Sequence, residues 1–217
     1  MNKIEAIIFD FDGVIAASVN IKTEAFAELY RRYGKEIEEK VVKHHITNGG
    51  MSRFEKFKVY HEEFLKKTIS EDEISELADK YSKLVVKKVI ESPYVKGAKE
   101  FLQKFHKKYD FFISSGTPEV EIKHIAKMRG IGKYFKAIYG SPIKKEKHVE
   151  IILNENHLNN NEVVFIGDAL SDREAATANS ISFIGVLNEN INFSKEKYKI
   201  NDLSELELLL INCSAAL

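Results

Sequence analysis

The chain is poor in cysteine: 217 residues contain one, Cys213. A single cysteine closes no disulfide within the chain and builds no cysteine metal centre, and such usage fits a reducing, cytoplasmic compartment. Proline occurs three times, no segment is compositionally biased, and no internal repeat is present. Net charge is also lacking, because 33 basic and 33 acidic side chains cancel. Nothing in that balance draws the chain to nucleic acid or to an anionic membrane. No run approaches the ~18 consecutive apolar residues that a membrane helix needs. The amino-terminal apolar run is short, contains Glu5 and ends in two aspartates, so no secretory leader is expected there.

What the chain does have is a normal globular balance, 44% hydrophobic and 30% charged. Its length suits one large domain with a modest insertion. Ile4, Ala6, Ile7, Ile8 and Phe9 form a near-continuous apolar run, the mark of a strand covered on both faces in a parallel sheet. Runs 111–113, 163–166 and 181–186 share this character, and 137–139 is a weaker fifth. Helical patterns lie between them at 98–106, 119–128, 146–153 and 172–178, with a short helix at 202–210. In the 119–128 helix, Thr117 is placed as N-cap and Pro118 as first helical residue. Alternating strands and helices give an α/β fold: a Rossmann-like parallel sheet with helices on both faces.

Residues 20–92 differ. Ile21, Ala25, Phe26 and Leu29, then Phe54, Phe57, Tyr60 and Phe64, then Ile74, Leu77, Tyr81, Val85 and Val89 recur at helical spacing. Ser70 with Glu73 reads as a capping box. An all-helical block is therefore inserted after the first strand. The expected division is a core of residues 1–16 and 93–217 and an inserted helical domain of 17–92, with Pro93 and Gly97 at the second join.

Ligands of open parallel sheets sit at the carboxyl ends of the strands. The predicted strands deliver Asp10 and Asp12, then Ser114 and Ser115, then Lys144 and Lys145, then Asp168 and Asp172 to that edge. Carboxylates there suit Mg²⁺, which prefers a few carboxylates with water and phosphate oxygens. A free helix start after Gly116 suits an anion, and a lysine can neutralise a transferring phosphoryl group. One carboxylate can serve as nucleophile and another as acid and base. Taken singly, each group has a plainer reading, such as Ser171 with Glu174 as a capping box, but together these would leave four unpaired carboxylates on one edge.

The segments Asp10-Phe11-Asp12-Gly13-Val14-Ile15, Ser114, Lys145 and Gly167-Asp168 with Asp172 resemble, in order, the four motifs of the haloacid dehalogenase superfamily, and the helical insertion resembles its C1 cap. The resemblance covers about residues 4–187. It implies Asp10 as nucleophile and Asp12 as general acid and base, with the Asp12 carbonyl on Mg²⁺. Ser114, with Ser115 and Gly116, would hold the phosphoryl group, and Lys145 would neutralise it. Asp168 would be a metal ligand, and Asp172 either a further metal-site carboxylate or one that supports the ligands from behind. The third-motif spacing after Gly140-Ser141-Pro142 favours Lys145 over Lys144. The turn Asn48-Gly49-Gly50-Met51-Ser52-Arg53 resembles the cap loop of β-phosphoglucomutase-like members. Arg53 there either reaches a substrate anion or is solvated, and His44 and His45 lie just before it. The implied activity is a Mg²⁺-dependent phosphatase for a small phosphomonoester such as a sugar phosphate. A phosphomutase is the alternative, and a phospho-accepting signalling module a more distant one, since such modules lack the insertion. The sequence leaves the oligomeric state open.

Overall fold

The computed structural model describes residues 4–189, 191, 193 and 195–215. Six parallel strands form one sheet: β1 (Ala6–Phe9), β2 (Asp110–Pro118), β3 (Ala137–Ser141), β4 (Val163–Gly167), β5 (Ser182–Val186) and β6 (Lys199–Ile200). Their order is β3-β2-β1-β4-β5-β6. The apolar runs became the first five strands. β6 has only two residues and no apolar run to announce it.

Successive side chains of a strand point to opposite faces, and β1 divides accordingly. Ile7 and Phe9 join one core with Phe101 of α5 (Ala98–Phe105) and Ile122 and Ile125 of α6 (Glu119–Met128). Ala6 and Ile8 join the other with Val149 and Ile152 of α7 (Lys145–Glu155) and Ala175 of α8 (Leu170–Ala178). Helices therefore cover both faces, and the strands are apolar throughout because neither face meets water. The terminal helix, α9 (Leu206–Ala215), adds Leu206 and Leu210 to the first core.

One expectation fails at β2. Thr117 is not a helix cap: the strand runs on to Pro118, which pairs with Ser141 after a register shift beyond Ser114. The α6 helix begins at Glu119 with Pro118 in the N-cap position. The Thr117 N–H is taken by the Ser115 hydroxyl at 3.2 Å, so it is not a free anion donor.

The inserted layer contains α1 (Val19–Tyr30), α2 (Lys35–Thr47), α3 (Arg53–Val59) and α4 (Glu71–Glu91). The Ser70–Glu73 capping box opens α4 as expected. Aromatic rings fill the layer, among them Phe26 against Tyr81 at 4.3 Å and Tyr30 against Tyr60 at 5.2 Å between centroids. The chain leaves and re-enters the sheet domain side by side. The Ala17 N–H donates to the Pro93 carbonyl, and the Val95 N–H to the Ile15 carbonyl, each at 3.0 Å. Among the described residues no helix is long and apolar enough to cross a membrane.

The insertion meets the strand ends through the Gly49-Gly50 turn. Gly50 has φ +79°, and a Cβ placed on Gly116 would collide with the Gly50 carbonyl oxygen. The Ser171 hydroxyl donates to the Gly49 carbonyl at 2.9 Å. Two backbones thus touch without side chains between them.

Candidate active site

The strand order reverses at β1, with β2 on one side and β4 on the other, so the crevice opens above its carboxyl end. Asp10 is the first residue past β1. Its N–H donates to the Ile166 carbonyl at 2.9 Å, its Oδ1 accepts the Phe11 N–H at 2.7 Å, and its Oδ2 lies 3.0 Å from Lys145 Nζ. Asp172, in the first turn of α8, accepts from Lys145 Nζ at 2.5 Å and from the Ala169 N–H at 3.0 Å. Asp172 therefore caps α8, in place of the Ser171–Glu174 box. Carboxylate oxygens of Asp10, Asp168 and Asp172 lie within 4.8 Å of one another. Gly13 makes room for this cluster, since a Cβ there would run into the Asp168 carboxylate.

Three carboxylates and one ammonium leave a formal deficit of two positive charges. Burial pushes the Asp10 carboxyl upward, Lys145 opposes this, and the charges of Asp172 and Asp12 add to it. Asp168 is raised by burial and by Asp10 and Asp172, and its carboxylate has no partner among the described residues. Burial disfavours the Lys145 ammonium, but Asp10 and Asp172 outweigh that and raise its proton affinity. An all-oxygen donor set short of two charges is compatible with a hard divalent cation.

Asp12 stands apart from this cluster. Its carboxylate pairs with Lys22 and accepts from Ser18 Oγ at 2.6 Å and Thr117 Oγ1 at 3.4 Å. Burial raises its pKa, but Lys22 and the Ser18 hydrogen bond reverse the sign and hold it below the usual carboxylate value. Lys22 Nζ also donates to Thr117 Oγ1 at 2.6 Å.

Lys145 is buried beneath the Gly50 turn, whereas Lys144 is exposed. Ser114 is fully buried, and its hydroxyl pairs with His148 Nδ1 at 2.8 Å. Burial and Lys145 push His148 down to about 4, so the ring is neutral. The Gly49-Gly50 turn borders two cavities. One, of about 350 Å³, reaches Asp10, Asp12 and Asp168. The other, of about 250 Å³, reaches Ser115, Gly116 and Lys145.

Arg53 is neither solvated nor free. It is 4% exposed, forks onto both oxygens of Glu121 on α6, donates to Ser82 Oγ at 2.7 Å and lies 4.6 Å over the Tyr81 ring. It ties the insertion to the sheet domain. His45 lines the larger cavity beside Lys56, while His44 packs on Tyr60 and Phe64.

Sequence reasoning missed Lys22, Lys56, Glu121 and His148. For two of them a signal existed. Arg53, Lys56, Phe57 and Tyr60 share one face of α3 and its continuation, and that face is buried. Lys22 likewise interrupts the Ile21, Ala25, Phe26 stripe. Glu121 and His148 acquire meaning only through partners far along the chain.

A family model described as haloacid dehalogenase-like hydrolase matches residues 7–186. No curated protein matches the sequence. Among solved structures, a β-phosphoglucomutase from Clostridium difficile is 23% identical, with 98% of this chain and 97% of that one covered and a TM-score of 0.79. A hydrolase from Pseudomonas syringae is 19% identical over 96% of this chain and 98% of that one, with a TM-score of 0.79. A Bacillus subtilis chain described as a HAD-hydrolase bound to magnesium is 16% identical over 97% of this chain and 100% of that one, with a TM-score of 0.73. At these identities the likeness shows the shared fold.

Proposed function

We propose, from the premise that the chain belongs to the haloacid dehalogenase-like hydrolases, that it is a Mg²⁺-dependent phosphatase of the C1-capped branch acting on a small phosphomonoester. The observation that carries this reading is the cluster of Asp10, Asp168, Asp172 and Lys145, two positive charges short, at the strand-order reversal. Asp10 and Asp168, with the Asp12 carbonyl, would hold the ion. When bound, Mg²⁺ supplies positive charge to the phosphoryl oxygens and lowers the cost of ionising Asp10.

In the first half-reaction an Asp10 oxygen forms a bond to phosphorus as the bond to the leaving oxygen breaks, giving an aspartyl phosphate. Asp12 donates the proton that the leaving oxygen needs. In the second half Asp12 takes a proton from water as that water attacks phosphorus, and Asp10 and inorganic phosphate separate. The Lys22 pair keeps Asp12 ionised, which suits the second half. For the first half Lys22 shifts from Asp12 to the substrate, so a cap residue times the proton transfer. Lys145 neutralises Asp10 and the phosphoryl oxygens. Ser115 and Gly116, which line the smaller cavity beside Lys145, cradle the phosphoryl group; Ser114, expected there from the sequence, is instead buried with its hydroxyl on His148 and lines neither cavity, so it supports the strand end from behind. Asp172 acts mainly through Lys145, since both of its oxygens already have partners. Residues 17–92 act as the cap and 1–16 with 93–217 as the core, closing to exclude water. Arg53 serves that closure through Glu121. Arg53, the cap-loop residue that kept a mutase open, is committed to Glu121 and does not face a second phosphate.

The test is a phosphate-release screen over small phosphomonoesters with Mg²⁺ and with chelator. Release that requires Mg²⁺ is expected. Isomerised sugar phosphate with little free phosphate would mark a mutase, and no turnover across the panel would defeat both readings.

The Gly50–Gly116 contact gives a second prediction. Gly116→Ala wedges the cap from the core by a methyl group and is expected to lower kcat/KM by about 100-fold, the cost of a ~1 Å misplacement. Melting and steady-state kinetics together check it: a variant that folds normally and turns over like wild type would remove the seam from the mechanism.

A further inference from the structure

Three cap cations line the larger cavity: Lys22, Arg53 and Lys56. Lys22 is paired with Asp12 and Arg53 with Glu121. Lys56 is not so matched. It is 2% exposed, and its Nζ meets only the His45 ring Nδ1 at 2.8 Å, the His45 carbonyl at 3.5 Å and the Phe26 ring at 5.5 Å. No carboxylate lies within ion-pair distance of it among the described residues.

An ammonium buried without a counter-ion is costly. Burial, with Lys22 nearby, pushes Lys56 down to about 7. As an ammonium Lys56 only donates, so in that state His45 Nδ1 accepts and the ring carries its proton on Nε2. His45 is itself held neutral, by burial and by Lys56. His45 thus orients the lysine without neutralising it. The same cavity, of about 350 Å³, is lined by Asp10, Asp12 and Asp168. The cavity therefore holds carboxylates suited to a cation and a phosphoryl group and, in Lys56, a cation without a paired anion. The volume is at the small end for ligand sites, so only a small substrate fits.

We propose that Lys56, oriented by His45, is an anion subsite for the leaving group, and that the preferred substrates are small phosphomonoesters bearing a second acidic group, a carboxylate or a phosphate. The position of the first phosphoryl group rests on the phosphatase reading; the subsite itself does not.

Matched esters test this: 2-phosphoglycolate against 2-hydroxyethyl phosphate, and 3-phosphoglycerate against glycerol 3-phosphate. Wild type is expected to favour the acidic member in kcat/KM by about 10- to 100-fold, the worth of a charge-assisted contact. Lys56→Met is expected to bring that ratio close to one, and Lys56→Arg to keep part of it. Calorimetry of the same pairs on Asp10→Asn protein, with and without Lys56→Met, gives the preference without turnover. If Lys56→Met does not fold, Lys56→Gln decides the same point. No preference in wild type, or a preference that survives loss of the lysine in folded protein, overturns the subsite. Calorimetric preference without hydrolysis of any ester leaves the subsite standing and defeats the phosphatase.

Discussion

Asp10→Asn is expected to lower phosphate release by roughly 10⁴-fold or more, the scale on which loss of a nucleophile is felt in covalent catalysis. The amide keeps the shape and can still accept the Phe11 N–H, but it cannot form a stable bond to phosphorus. The same variant is expected to be more stable than wild type when no cation is bound. The Asp10 carboxyl is raised from 3.8 to about 7 in the folded protein, chiefly by burial. The folded state therefore binds more protons than the unfolded chain between these values, and wild type loses stability as pH rises through that window. The amide does not titrate and has no such loss. Its advantage is about 1–3 kcal/mol near pH 8 and vanishes near pH 4. Urea melts at both pH values with chelator, beside a phosphate-release assay, check the two halves. Equal turnover in the variant would remove Asp10 as nucleophile, and a less stable variant at pH 8 would contradict the charge accounting.

Lys145→Met carries the second large effect. It withdraws the only ammonium within ion-pair distance of both Asp10 and Asp172 among the described residues, at 3.0 and 2.5 Å. Breaking a buried pair on one side typically costs about 3–5 kcal/mol. Protonation offers relief, because the Asp10 carboxyl, already raised by burial, rises further once the lysine that lowers it is gone. The deficit against wild type is therefore smallest near pH 4–5 and largest above pH 7. Mg²⁺ is expected to return part of the lost stability, because it neutralises the same carboxylates, while turnover stays low for want of the lysine. Melts across pH with and without Mg²⁺ measure this. A deficit independent of pH would mean that Lys145 acts by packing and not by charge.

The sheet and its two covering layers were legible because burial on both faces leaves a strand few polar choices. β1, β4 and β5 read as apolar runs for that reason. β2 was read too short: Ser114, Ser115 and Thr117 look like a loop, yet pairing of Pro118 with Ser141 extends the strand through them. Asp10, Asp12 and Asp168 were legible because each sits just past a strand end, and Asp172 because it opens the helix that follows. Their partners were less so. Lys22 meets Asp12 only after α1 folds back over the crevice, and Glu121 meets Arg53 only when the cap lies down on α6. Sequence spacing carries no record of such contacts. Arg53 illustrates the limit best. Its residue type promised an anion, and the anion it found is a glutamate of its own chain.

The meeting of Gly50 with Gly116 has a consequence for what the closed cleft can measure. A lid resting on side chains closes to a depth that their rotamers can adjust. Here carbonyl oxygen rests against α-carbon, so the ceiling above Lys145 comes down to one height and stops. The closed chamber works as a gauge of fixed bore. On the phosphatase reading, a ligand that spans the carboxylates and Lys56 is expected to complete it, and a longer one to hold the insertion off Gly116 and turn over more slowly.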